Sequence, residues 1–276
     1  MALGNLPRRA VVVTFDDGYA DNFYVAKTLL EQHDVPATVF VTAGFVGKSE
    51  EFWWDDLDRI LLRPGTLPAI IQLSVDGEEY QQNLGAVSEY SIDSYKMHQH
   101  WTVLSPDSPT ERQIAYRQLC QLVYPLSADR RQDVQHQLWQ QIGSGSIGRD
   151  THRVMNPEEV AQLAASGLIE VGAHTMSHLS LSAQSIAVQR LEIQQSKARL
   201  EEIVGQPVTS FAYPFGSPSD YTADTVDLVQ EAGFQLACSN FGGVVTRQSD
   251  RFQLPRVLVR NWDGDEFERR LREWLA

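Results

Sequence analysis

The sequence predicts an α/β fold with parallel strands, on three observations. Strand-type and helix-type stretches alternate along most of the 276 residues. Two apolar β-type runs end abruptly in polar clusters: Val11-Val12-Val13-Thr14-Phe15 gives way to Asp16-Asp17-Gly18, and Leu168–Ala173 gives way to His174-Thr175-Met176-Ser177-His178. The alternation breaks once, from about Lys48 to about Asp150, and then resumes.

Ala10–Thr14 reads as the first strand, and Val25, Leu29 and Leu30 suit the buried face of the helix after it. Ala37–Thr42, rich in Val, Thr and Phe, is the next strand. The interruption holds one strand signal, Ile70–Val75, and helix-like stretches at Trp53–Leu62, Glu111–Leu122 and Arg131–Ile142. Gly143-Ser144-Gly145-Ser146 is its expected flexible exit. Asn156 suits an N-cap, Pro157 the first helical position and Glu159 the reciprocal capping-box partner. Leu168–Ala173 follows as a strand, then a long polar-faced helix with Ile186, Ile193 and Leu200 on one stripe. Val208–Tyr213 is a strand, Asp224–Ala232 a helix stopped by Gly233, and Phe234–Cys238 and Val257–Val259 are strands. Phe267, Leu271 and Trp274 mark a closing amphipathic helix. The chain, 1–276, thus reads as one domain with a mostly helical insertion at 48–150.

An apolar fraction of 42% and six tryptophans fit a folded globular chain. The formal charge of −13 repels a phosphate backbone, so nucleic acid is not an expected partner, and anionic membranes are disfavoured. No run approaches the roughly 20 apolar residues of a membrane span. The first nine residues lack the apolar centre of a secretory signal, so the expected compartment is the cytoplasm, with a secreted or periplasmic form that has lost its leader as the alternative. Cys120 and Cys238 sit among apolar neighbours with no metal-type spacing and read as two buried thiols. The oligomeric state is not readable from the sequence.

Adjacent strand residues point to opposite faces, so a regular strand cannot aim Asp16 and Asp17 at one spot. Gly18 allows the chain to turn there, leaving one carboxylate for a cation and its neighbour for proton chemistry. Two histidines four apart fit Zn²⁺-type ligation, and a carboxylate from another strand end makes a three-ligand site with positions left for water. That is the arrangement of a hydrolytic metal centre. The tetrahedral intermediate of such a hydrolysis needs an oxyanion partner, for which the cation and the backbone N–H of Tyr213 are candidates. Tyr213 and Phe215 are candidate walls of an acyl pocket, and Trp262 a candidate closure. Phe52-Trp53-Trp54 reads more readily as a structural anchor than as a sugar-stacking surface. His98 and His100 read as surface residues.

Thr14-Phe15-Asp16-Asp17-Gly18, His174-Thr175-Met176-Ser177-His178 and Phe211-Ala212-Tyr213-Pro214-Phe215-Gly216 together resemble the three motifs of the polysaccharide deacetylases, carbohydrate esterase family 4 or NodB-homology domain. The motifs occur in family order, and the resemblance covers about residues 8–45 and 152–262. It implies a distorted or incomplete (β/α) barrel that removes acetyl groups from N-acetylated saccharides. It further implies one divalent transition metal ion, zinc first and cobalt or nickel as alternatives. Carried over by motif position, Asp17, His174 and His178 are the metal ligands and Asp16 is the general base.

Three departures accompany the resemblance. Many relatives open the third motif with an Arg that orients the base, where this chain has Ala212. Arg256, directly before an expected strand, is the favoured replacement and Arg153 the alternative. Many relatives also supply a late histidine as general acid, but no histidine follows His178, which leaves His152, another acid or water. Only about nine residues precede the double-Asp strand, where relatives usually carry a further barrel strand. An O-acetyl esterase, a small-amide amidase and a silent carbohydrate-binding scaffold are therefore alternative readings.

Overall fold

The computed structural model describes residues 9–143, 145 and 147–275. The N-terminal segment on which the expectation of a leaderless chain rests, 1–8, lies outside the described residues, as do Ser144 and Ser146 of the expected flexible exit. Two compact units emerge: one made of the chain up to Val46 and from Met155 onward, the other Gly47–Val154.

The first unit is built on five parallel strands: β1 (Val13–Phe15), β2 (Ala37–Val41), β3 (Ile169–Ala173), β4 (Ser210–Ala212) and β5 (Leu236–Cys238). Their order in the sheet is their order in the chain. A doubly wound sheet reverses direction part-way; a barrel wall does not. The sheet curls into an incomplete barrel, as the motif resemblance implies. Helices α1 (Lys27–His33), α2 (Pro157–Ala164), α3 (Ile186–Val204), α4 (Ala223–Glu231) and α5 (Gly264–Trp274) intersperse the strands. The expected capping box at Asn156 and Glu159 is formed in both directions, at 2.8 Å each way.

Strand register puts the site together. Phe15 pairs with Val39, so Asp17 comes level with the end of β2, where Thr42 N–H donates to the Asp17 carbonyl at 3.2 Å. Val41 pairs with Ala173, so His174 emerges beside that same end. Ala173 in turn pairs with Phe211, which places Ala212 and Tyr213 next to His174.

Some expectations need correction. Val25 and Leu29 are more than half exposed, and only Leu30 of the expected apolar face is buried. A π-type turn at Asn22–Ala26 precedes α1, and its wider turn rotates later positions off the 3.6-residue stripe. On α3, Ile193 and Leu200 are buried but Ile186, in the first turn, is exposed. Residues 255–260 form no strand; only Leu254 bridges to Cys238. Helix α5 forms where expected but buries none of its residues, so it lies on the surface of its unit.

Gly172 on β3 is packed closely on both sides. A Cβ there would lie 2.4 Å from the Phe40 ring and 2.8 Å from Ser210 Oγ. Phe40 itself is wedged against Ala212, Cys238 and Leu254. Gly172→Ala is therefore expected to cost about 1–3 kcal/mol through overpacking. Urea unfolding measures it, and an unchanged midpoint would show that Phe40 can swing aside.

The second unit contains helices at Trp53–Leu61, Ile92–His98, Glu111–Val123 and Ala128–Ile142. The expected strand Ile70–Val75 pairs antiparallel with Glu78–Asn83, whose polar sequence hid it. Phe52 and Trp53 are buried, and the Trp53 ring packs against Arg131 and Trp54 of this same unit. Its core also encloses Arg112, whose guanidinium donates to the carbonyls of Val87, Leu61, Arg63, Gly65 and Ser88. No carboxylate is among these partners; five carbonyls match the five donors of the fork instead. Burial pushes the Arg112 pKa down to about 10. Both cysteines are free thiols, but only Cys238 is buried; Cys120 is half-buried.

Candidate metal centre

The loops after β1 and β3 converge on one point. Asp17 Oδ1 lies 3.5 Å from His174 Nε2 and 3.2 Å from His178 Nε2. Among the described residues, these three form the group able to share a metal ion, with all donor atoms within 4.8 Å of one another. The ring of His174 has a fixed role. Its Nδ1 lies 2.7 Å from the carbonyl oxygen of Ala212, which can only accept, so Nδ1 carries a proton and Nε2, turned toward Asp17, is the nitrogen that can offer a lone pair when the ring is neutral. Asp17 Oδ1 is itself buried and has no hydrogen-bond partner. Lone pairs facing one another across a buried gap require a positive charge between them. The residues therefore fit a divalent cation, with imidazole and carboxylate the donors that suit zinc and its neighbours.

Electrostatics agree with that reading. Burial alone would push the Asp17 carboxyl up, but the two imidazoles outweigh it and hold the group well below the usual carboxylate range. Burial works against charge on His174, yet Asp17 and Asp16 together hold its pKa above the usual imidazole value. Each partner thus favours the charged form of the other.

The backbone is strained where the site needs it. Asp17 (φ 73°), Thr175 (φ 63°), His178 (φ 51°) and Phe215 (φ 60°) are all left-handed although none is glycine. Such residues cost about 1–3 kcal/mol each and persist only where their surroundings over-determine them. Asp17 shares this conformation with Gly18 (φ 84°), and that double turn lets neighbouring carboxylates aim differently. A Cβ on Gly18 would sit 2.9 Å from Val41 Cγ1, so glycine is needed there for space as well as for conformation. Thr175 is held by Ala43 N–H on its carbonyl and by His178 N–H on its hydroxyl. Gly44 N–H binds the Met176 carbonyl, and a Cβ on Gly44 would lie 2.3 Å from that oxygen.

Asp16 is not one of the three converging groups, and its carboxylate meets Arg256. The guanidinium makes a fork, Nη1 to Oδ1 at 2.7 Å and Nη2 to Oδ2 at 2.8 Å. Arg256 is held in turn by the Ser239 carbonyl at 2.8 Å and the Thr14 hydroxyl at 3.1 Å. Burial opposes its charge, but Asp16 raises its pKa, so the pair is ionic. Arg256 reaches Asp16 from the irregular segment after Leu254, not from the edge of a strand.

A family model described as polysaccharide deacetylase matches residues 4–66 and 140–237, more than half of the chain. The chain belongs to the polysaccharide deacetylase family. It is 28% identical over 114 residues to YxkH of Bacillus subtilis (strain 168), a protein that carries the family's name, covering 41% of this chain and 39% of that one. It is 25% identical over 140 residues to a poly-beta-1,6-N-acetyl-D-glucosamine N-deacetylase of Staphylococcus epidermidis, covering 47% and 46%. The chain thus matches less than half the length of these curated relatives. Among solved structures, the Streptococcus pyogenes deacetylase PplD in complex with acetate shares the fold, with a TM-score of 0.52 and 15% identity over 96% of this chain and 72% of that one.

Within this deacetylase framework the geometry places the remaining residues singled out from the sequence. Arg256 rather than Arg153 meets Asp16. Ala212, which lacks the orienting side chain, contributes its carbonyl to His174 instead. Tyr213 is not an oxyanion donor: its N–H continues the sheet ladder to the Cys238 carbonyl at 3.0 Å. Nor does its ring wall an acyl pocket. It is buried, stacks on Tyr221 at 4.0 Å and donates its hydroxyl to the Phe252 carbonyl. The aromatic residue of the third motif that reaches the triad is Phe215, edge-on to His178 at 4.6 Å. Trp262 packs against Trp274 and Arg270 of its own segment. His152 lies in the second unit, where burial and the charge of Arg149 depress its pKa. Sequence reasoning missed Glu192, a buried carboxylate on α3 that binds the loop between the two histidines.

Proposed function

We propose that this chain is a metal-dependent hydrolase that releases acetate from an N-acetylated saccharide, with Asp16 as general base. The observation that carries the reading is the division of labour between adjacent carboxylates. Asp17 joins two imidazoles around one point, while Asp16 is clamped by Arg256. A divalent cation held by Asp17, His174 and His178 would supply Lewis-acid polarisation of the carbonyl and lower the pKa of a bound water. Asp16 is the carboxylate that would take up the proton of the attacking water. Its two oxygens offer about four lone-pair sites and the Arg256 fork uses two, so capacity remains. The fork fixes the carboxylate's rotamer, and a fixed base needs no reorganisation as the proton moves. Deacetylase relatives support the acetyl group as the acyl unit transferred to water.

The proton donor for the departing amine is the weak point of amide cleavage here. In the first unit the described histidines are the two ligands and His33, which ends α1 on an exposed turn. An amine leaves poorly unless protonated, whereas an alkoxide from an acetyl ester depends less on a donor. O-acetyl ester hydrolysis is therefore the second reading. The test is acetate release from matched N-acetylated and O-acetylated sugars, with Zn²⁺ added and with chelator. Metal-dependent release is expected from both, with the ester turned over faster. Fast amide turnover would mean that a donor has been missed, with His152→Ala the first variant to make. No metal-dependent release from either class would move the reading to a silent carbohydrate-binding protein.

A further inference from the structure

Glu192 lies on α3, eight percent exposed, with its carboxylate under the loop that joins the two histidine ligands. One oxygen, Oε2, accepts the backbone N–H of Met176 at 2.9 Å and of Ser177 at 2.8 Å. These two residues are the third and fourth of the five-residue stretch His174–His178. A carboxylate is expensive to bury unless hydrogen bonds meet it, and these bonds are of the stronger, charge-assisted kind. The loop needs such a fixture. Thr175 and His178, on either side of the clamped pair, are both left-handed, and a β-branched residue resists that conformation. The Ala43 and Gly44 amides hold the loop through the carbonyls of Thr175 and Met176, whereas Glu192 holds it through the amides of Met176 and Ser177.

We infer that Glu192 is a positioning residue for the metal centre: its carboxylate sets the His174–His178 loop so that both Nε2 atoms meet Asp17. The inference rests on the metal-dependent reading above and is independent of the substrate. Loss of the clamp frees two amides and lets the strained pair relax, which swings His178 while leaving His174 on its strand end and its Ala212 bond. The requirement is for an acceptor at one position. A glutamine amide oxygen meets both N–H groups; aspartate keeps the charge but withdraws the oxygen by one methylene.

The test compares the full-length wild type with Glu192→Gln, Glu192→Asp and Glu192→Ala. Zn²⁺ affinity is read by competition with a chromophoric chelator, coordination by the visible spectrum of the Co²⁺ form, and folding by thermal unfolding of the metal-free chain. Glu192→Gln is expected to bind close to wild type. Glu192→Ala is expected to lose about 10–100-fold in affinity, the usual cost of removing a partner that orients a ligand. Glu192→Asp should fall between, with an altered Co²⁺ spectrum. A general structural role would lower the unfolding temperature of all metal-free variants and leave the affinity of the folded protein unchanged, and that result would overturn the inference. Should Glu192→Ala fail to fold, the order of Gln and Asp decides: aspartate binding as well as glutamine would overturn it. A wild-type chain that binds no ion would overturn the metal reading and this inference together, whereas a metal-binding wild type that releases no acetate would overturn the function alone.

Discussion

Asp17→Asn is expected to abolish metal retention and turnover together, leaving a folded chain with the activity of the chelator-treated wild type. The substitution is isosteric, so the turn at Asp17 and Gly18 keeps its shape, and the change is one of charge. Two imidazoles at 3.2 and 3.5 Å then face a neutral amide in place of the carboxylate that balanced an ion between them. The loss should exceed the about 10–100-fold that removing a mere supporting partner costs, because a ligand itself is gone. His178→Ala should behave alike, since His178 also donates one of the three atoms. Acid should reproduce the effect reversibly. Burial disfavours charge on His174, but Asp17 and Asp16 overcome it and hold its pKa above the ordinary imidazole value in the metal-free chain. A ring must be neutral to ligate, so affinity falls as pH drops through that raised pKa and recovers above it. Metal analysis after dialysis and Zn²⁺ titrations across pH measure both effects. Retention of a stoichiometric ion by Asp17→Asn would remove this residue from the ligand set.

Much of this centre was legible in the residues because it is built at strand ends. An apolar run followed by Asp-Asp-Gly, and another followed by His-x-x-x-His, each fix where a polar cluster must emerge once the strands are parallel. The sequence order of strands then brings the clusters together through simple register, Phe15 on Val39 and Val41 on Ala173. What was not legible depends on contacts without periodicity. The sequence places Arg256 directly before a strand, but it reaches Asp16 from an irregular segment. Tyr213 was misassigned because a backbone N–H is free or spent according to ladder register, and residue type carries no trace of it. The exposed Val25 and Leu29 follow from one π-type turn, invisible to a 3.6-residue template. Glu192 did leave a signal. It adjoins Ile193 and stands three residues from Gln189 and four from Ser196, all buried on α3, so it is a charge on the buried stripe. A charged residue on such a stripe needs a partner, and the strained histidine loop is that partner.

Asp16→Asn is expected to lower turnover by about 100- to 10,000-fold, the range for removing a general base, while the bound ion stays. The separation follows from geometry. Asp16 takes its two hydrogen bonds from Arg256 and is not among the three atoms that converge at the triad. Asparagine keeps one acceptor for Nη1 but turns an NH₂ group toward Nη2, so thermal unfolding must accompany the kinetics. Arg256→Lys extends the argument. Lysine is a point charge that reaches one carboxylate oxygen and cannot rebuild the fork. It also forfeits the planar geometry that lets the guanidinium bind the Ser239 carbonyl, Thr14 and both Asp16 oxygens at once. A base that is ionised but free to rotate spends less time in line with the water, so kcat should fall while KM and metal content hold. The order expected is wild type, then Arg256→Lys, then Arg256→Ala, then Asp16→Asn. Loss of the ion in Asp16→Asn would make Asp16 a ligand rather than a base. Undiminished turnover in that variant would place the base elsewhere and leave the Arg256 pair a structural clasp between β1 and the segment that follows β5.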